Sequence, residues 1–250
     1  MRRLIPIVAL LLVSCSSRHA TQVDNIPPPV APALAHWNPT VHLADVALSN
    51  GSPQIALQIS EELLKRNPRD VEALERRGDA LAAMGRTSEA DVSYQTALII
   101  KPRYVMAMIG LARVRMEQDP AKAEVLLAQA VILEPHNAIA WNNLGVSRDL
   151  QGKHPDAQDA YRKALGAEPD AASVQVNLGL SLALSGNTGQ AIQLLRPLAS
   201  KSDASPRVKQ DLAVALALNG NTDEAAAILG HDMSTAQARA AIDGFSSFRP

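Results

Sequence analysis

Residues 141–169 read WNNLGVSRDLQGKHPDAQDAYRKALGAEP. If Ala157 is placed at position 20 of a unit, Trp141 falls at position 4, Leu144 at 7, Gly145 at 8, Tyr161 at 24, Ala164 at 27 and Pro169 at 32. This spacing predicts two helices joined by a short turn. Gly145 and Ala157 are small, which lets two antiparallel helices approach to about 8–10 Å. Trp141, Leu144 and Tyr161 fill the space around that contact. Gly152 permits the left-handed backbone that ends a first helix. Pro169 cannot continue the second.

The same pattern extends in both directions. Alanines stand at 56, 90, 123, 157, 191 and 225, at intervals of 34, 33, 34, 34 and 34. Gly51, Gly85, Gly152, Gly186 and Gly220 keep the same beat, as do Pro68, Pro102, Pro135 and Pro169. Six alanines in register are not the spacing of a non-repetitive bundle. A period near 34 with small residues and a closing proline resembles tetratricopeptide helix pairs. The expected fold is all-α, a tetratricopeptide-repeat superhelix of about six repeats over residues 37–243 with a C-terminal capping helix. Such an array buries its core as a continuous spine between neighbours.

The repeats are unequal. The second, from Val71, carries Leu74, Gly78, Gly85, Ala90, Tyr94, Ala97 and Pro102. The third keeps Gly110, Ala123, Ala130 and Pro135 but is one residue short, which places the deletion in the turn at Gln118-Asp119-Pro120. The fifth, from Ala172, has Leu178, Gly179, Gly186 and Ala191 and no closing proline. The first is degenerate, with Leu43, Gly51 and Ala56. The sixth, from Pro206, has Leu212, Gly220, Ala225 and Leu229. A last helix over about 234–242, with Ala238 and Ala241, is expected to cap the open end, because terminal repeats need a modified face. Residues 244–250, with Phe245 and Phe248, are expected to form a tail.

The N-terminus reads differently. Met1-Arg2-Arg3 is basic and residues 4–13 are apolar, a stretch too short to span a bilayer, which takes about 20 residues. It reads as an export signal. Leu12-Val13-Ser14-Cys15 resembles the bacterial lipobox, and Cys15 is the only cysteine in the chain. Lipidation at Cys15 would add acyl chains at about 0.8 kcal/mol per buried methylene, enough for stable anchoring when several chains are present. Ser16, where an Asp would favour inner-membrane retention, resembles the outer-membrane case. Residues 16–36, with Pro27-Pro28-Pro29 and Pro32, lack helical periodicity and read as a proline-rich tether reaching about 60 Å. A second reading lays this segment against the first helices.

The composition excludes several classes of function. The formal net charge is −1; without Arg2 and Arg3 it is −3, from 22 basic and 25 acidic residues. A nucleic-acid partner calls for a basic face, so none is expected. One cysteine permits neither an intramolecular disulfide nor a cysteine metal cage. His19, His36, His42, His136, His154 and His231 form no metal-ligand spacing, so no metal and no cofactor are expected. Glu61, Glu62, Glu72 and Glu75 lie near Lys65, Arg66, Arg76 and Arg77 and read as solvated charge pairs. No phosphate loop or nucleophile elbow is present. No catalytic residue is assigned, and an enzyme is the least supported class.

A protein partner is expected instead. A tetratricopeptide superhelix lines its groove with side chains at positions 2, 5, 6, 9, 12 and 13 of the first helices. These are Glu72, Glu75, Asp79, Tyr104, Leu111, Arg115, Asn142, Asn143, Val146, Asp149, Val176, Asn177, Leu180, Arg207, Gln210 and Val214. The groove is expected to run from acidic to polar and aliphatic, suiting an amphipathic helix or an extended peptide.

Two stretches narrow the class. Residues 194–199, LLRPLA, are followed by residues 205–220, SPRVKQDLAVALALNG. This resembles the C-terminal repeat of TadD, the lipoprotein family of tight-adherence (Flp) pilus systems. The lipobox, the tether and the length match as well. Asp211 departs from the family, where Asn is frequent. The resemblance implies a pilotin-like protein anchored on the periplasmic face of the outer membrane, acting on the pilus secretin or another component of the apparatus. The alternative is a tetratricopeptide lipoprotein adaptor for envelope or peptidoglycan enzymes. The oligomeric state is left open.

Overall fold

The computed structural model describes residues 39–230 and 233–246. The leader 1–15 with Cys15, the tether 16–36, Trp37, His231 and Phe248 lie outside the described residues. Among the described residues there are thirteen helices and no strand. They form two compact units, one ending at Leu133 and the other beginning at Glu134.

The first unit holds three helix pairs: α1 (Pro39–Ser49) with α2 (Pro53–Arg66), α3 (Val71–Ala83) with α4 (Thr87–Ile100), and α5 (Val105–Arg115) with α6 (Pro120–Leu133). The second unit holds α7 (Ala138–Asp149) with α8 (His154–Ala167), α9 (Ala172–Leu184) with α10 (Thr188–Ala199), and α11 (Pro206–Asn219) with α12 (Thr222–Leu229). It ends in α13 (Thr235–Ser246). The fold is all-α, built from the helix pairs that the 34-residue ruler predicts.

Local chemistry sets the boundaries. Gly152 has φ +73°, and the Lys153 amide donates to the Arg148 carbonyl at 3.0 Å, closing α7. Helices α2, α4, α6 and α8 each stop two residues before Pro68, Pro102, Pro135 and Pro169, because the residue preceding a proline is pushed out of helical geometry. Asp70 and Asn137 then start the next helices, accepting from the amides of Ala73 (3.0 Å) and Ala140 (2.9 Å). The third repeat loses its residue where expected. There α5 stops at Arg115 and Asp119 begins α6, accepting from the Lys122 amide at 3.0 Å.

Position 8 of α3, α7 and α9 meets position 24 of the second helix in the same pair. A Cβ on Gly145 would lie 2.7 Å from Tyr161 Cδ1, and one on Gly78 would lie 2.5 Å from Tyr94 Cε1. Tyr94 also fills the space that a side chain at Gly110 would need. In the first repeat these two positions are Ala44 and Ser60, both wholly buried. Gly145→Leu is therefore expected to force α7 and α8 apart at a cost on the order of 3 kcal/mol, read as a lower thermal unfolding midpoint. An unchanged midpoint would mean that the repeat register is misplaced.

The terminal helix differs from its expected extent. Residues 244–246, assigned above to a tail, continue α13. Ser234 and Gln237 start it as a reciprocal cap: the Ser234 amide donates to Gln237 Oε1 at 3.0 Å and the Gln237 amide to Ser234 Oγ at 3.4 Å. The alanine-rich run after them propagates the helix past Asp243. Ala238 and Ile242 are buried, and α13 packs on α11 and α12.

Candidate functional site

Fifteen of the sixteen groove residues lie on five first helices, Tyr104 is the N-cap of α5, and the structure treats them unequally. In the first unit, Glu72 is exposed. Glu75 is 1% exposed and lies against the Arg76 guanidinium, with Tyr104 Oη at 3.5 Å. Arg76 also binds Asp45 of α1, so one guanidinium joins two neighbouring first helices. Asp79 accepts from Tyr94 Oη at 2.7 Å and has Arg113 at 3.9 Å. Tyr104 is half-buried beneath Lys101, whose Nζ stands 4.9 Å from the ring centre, and burial pushes its phenol up to about 12. Leu111 is buried in the cluster that holds Leu81 and Tyr94. Arg115 grips Asp91 of α4 through Nε (2.5 Å) and Nη2 (2.9 Å), a two-pronged bond that lowers the Asp91 carboxyl.

The acidic character expected of the second repeat is therefore largely spent inside the protein. The spacing that stacks the repeats also sets Arg76 beside Glu75 and Arg113 beside Asp79. Arg76, at position 6 of its repeat, was missed by the sequence reading. The positional rule that selected Asn143 and Asn177 would have found it.

In the second unit, three side chains join three successive first helices. Asn177 Nδ2 donates to Asn142 Oδ1 at 2.9 Å, and Arg207 Nη2 donates to Asn177 Oδ1 at 2.7 Å. Asn143 is half-buried and donates to the Ile139 carbonyl of its own helix at 2.8 Å. Gln210 is half-buried. Arg207 Nε stands 3.6 Å from Asp211 Oδ2; neither that nitrogen nor either Asp211 oxygen has a hydrogen-bond partner. Asp211 is wholly buried, and burial pushes its carboxyl up to about 7 although Arg207 pulls it down.

Eight of the sixteen positions offer a partner little or no surface: Glu75, Leu111, Val146, Asp149, Val176, Asn177, Leu180 and Val214 are buried. First helices approach one another closely, α3 with α5, α7 with α9 and α9 with α11, so positions 5 and 9 become packing positions wherever they are apolar. Asp149 is the largest correction. Its carboxylate accepts from Tyr161 Oη at 2.9 Å and Ser181 Oγ at 2.7 Å and contacts His154 Nδ1 at 2.9 Å. It staples α7, α8 and α9 together instead of facing a ligand. Burial raises the Tyr161 phenol well above its usual range, so it stays a donor to that carboxylate.

What remains accessible is amphipathic. Glu72 is exposed, while Asp79, Tyr104, Arg115, Asn142, Asn143, Arg207 and Gln210 are partly so. Ile139, at position 2 and half exposed, belongs with them by the same rule and was overlooked. Side-chain amides beside an arginine and an exposed aliphatic can hydrogen-bond an extended backbone and cover an apolar side chain. Among the described residues no group of three or more His, Cys, Asp or Glu could hold a metal ion.

Stacked helix pairs with side chains presented from their first helices define a protein-interaction scaffold. The tetratricopeptide-repeat family pattern matches residues 42–105, 107–157 and 147–207, and a second pattern of the same description matches 182–244. The chain belongs to the tetratricopeptide-repeat family. Among curated proteins it is 33% identical over 117 residues to the FK506-binding protein-like protein of Homo sapiens, covering 45% of this chain and 32% of that protein. The chain thus spans about a third of that relative's length. Among solved structures, a thermophilic tetratricopeptide-repeat protein of Thermus thermophilus aligns with TM-score 0.62 at 21% identity, over 71% of this chain and 97% of that one. Pseudomonas aeruginosa pilF aligns with TM-score 0.68 at 18% identity, over 82% of this chain and 96% of that one. At these identities the likeness is one of fold.

Proposed function

We propose that this tetratricopeptide scaffold is a lipid-anchored assembly factor of a tight-adherence (Flp) pilus machine. In this reading Cys15 holds it to the periplasmic face of the outer membrane. The first-helix faces receive a segment of the pilus secretin, or of another component of the apparatus, and promote its assembly. The observation that carries the reading is the run Arg207–Gly220, the more specific part of the resemblance to the TadD lipoproteins. It forms most of α11, where Arg207 reaches back to Asn177 and, through it, to Asn142.

The test is a tagged pull-down from detergent-solubilised outer membranes, with bound proteins identified by mass spectrometry. A secretin among the specific partners is expected. Peptidoglycan or envelope enzymes without a secretin would overturn the reading in favour of a general adaptor. Cys15→Ser is expected to move the protein from the membrane to the soluble periplasmic fraction while leaving its unfolding midpoint unchanged. Retention in the membrane fraction would remove the lipid anchor from the account.

A further inference from the structure

Positions 7 and 10 of the first helices carry a regular signal. In α3, α9 and α11, position 10 is Ala80, Ser181 and Ala215, each wholly buried. Position 7 is Leu178 and Leu212 in the last two, at 8% and 4% exposure, with Arg77 half-buried in α3. Each of these helices packs against a helix pair that precedes it within its own unit. The equivalent residues of α1 are Leu43 and Val46, and they are 55% and 40% exposed. Helix α1 therefore presents an apolar face at the place where its counterparts are covered.

The sequence just before α1 suits that face. From Asn25 to Ala44 there is no Asp, Glu, Lys or Arg, in a chain where one residue in five is charged. Within it stand Ile26, Val30, Leu34 and Trp37, interspersed with Pro27, Pro28, Pro29 and Pro32. We propose that residues 26–37 fold back along α1 and cover Leu43 and Val46 as an N-terminal cap of the repeat array.

Three physical arguments favour this occupant. Reach is ample: twelve residues in an extended proline-rich conformation cover about 37 Å, whereas Val46 lies only about 10 Å along the helix from Pro39. Covalent attachment gives the segment a high effective concentration at the face. Prolines also restrict the undocked chain, which lowers the entropy lost on docking. A second copy is less suited, because a stable interface takes about 800 Å² from each partner and two aliphatic side chains supply a small part of that. A docked cap has one consequence for the anchored reading above. Only residues 16–25 would remain to span from Cys15 to the array, about 30 Å in place of about 60 Å. The cap itself does not depend on that reading, and neither does its test.

The experiment is a double-substitution cycle on the full chain: Trp37→Ala, Leu43→Ala and both together, followed by thermal unfolding at two protein concentrations. Each single change is expected to lower the midpoint by several degrees. The pair should lower it no further than the larger single effect, because either change removes the same contact. A Trp37→Ala midpoint equal to that of the parent would overturn the cap, as would strict additivity. So would a concentration-dependent midpoint together with a sedimenting dimer that Leu43→Asp dissociates, which would assign the face to a second copy.

Discussion

Replacing Asp149 by alanine is expected to lower the stability of the second unit by about 4 kcal/mol, since it removes charged hydrogen bonds and strands buried donors. The carboxylate is 3% exposed and ties Tyr161 of α8 and Ser181 of α9 to α7, with His154 alongside. Without it, two wholly buried hydroxyl-bearing side chains lose their acceptor. Asp149→Asn is expected to fall between, because an amide keeps one accepting oxygen but turns a donor toward groups that also donate. Urea unfolding of the three proteins checks this. A midpoint within experimental error of the parent for the alanine variant would show that the staple is not needed.

Asp211→Asn is expected to act in the opposite direction and to depend on pH. The carboxyl has an ordinary value of 3.8 and is pushed up to about 7 by burial. Between those values the folded protein keeps a proton that the unfolded chain releases, so stability falls as pH rises from about 4 to about 7. Above that range the full penalty applies, roughly 4 kcal/mol for a displacement of this size. Asparagine carries no charge, and its oxygen can accept from Arg207 Nε, which now has no partner. The variant is therefore expected to match the parent near pH 4 and to exceed it by a few kcal/mol at pH 8. Denaturant unfolding at both pH values measures the difference. A gap that fails to widen at high pH would mean that Asp211 stays ionised and compensated in the folded protein.

Both residues bear on how a repeat sequence is read. Asp149 and Asp211 sit at positions 12 and 6 of their first helices, the same class of position as Asn143. The positional rule treats them alike. In the structure one is a fully bonded staple, one is buried without a hydrogen bond, and Asn143 is half open. The difference lies in what the neighbouring helices bring. Tyr161 and Ser181 converge on Asp149 from residues 12 and 32 positions away, and Asp211 finds only Arg207. Likewise, the acidity counted at Glu75 and Asp79 is offset by Arg76, Arg113 and Tyr94.

The helix pairs themselves were legible. Gly152 could only close a helix, Pro169 could only stop one, and Gly145 opposite Tyr161 could only be a close approach. Each of these rests on backbone geometry or on volume within a single repeat, and a one-dimensional ruler captures such constraints. The α13 extension to Ser246 was less legible, because helix ends depend on whether a side chain such as Phe245 finds something to pack on.

The sequence by itself determined the repeat, its register, the residues at which helices meet and the expectation of a lipid-bearing Cys15. Only the tertiary structure decided which first-helix side chains face outward, which pair with each other and which are sealed between repeats. The reason is physical. Helix formation and the glycine–tyrosine contact are set by residues within about 34 positions of one another. The burial and charge state of a groove position are set by the repeats on either side of it.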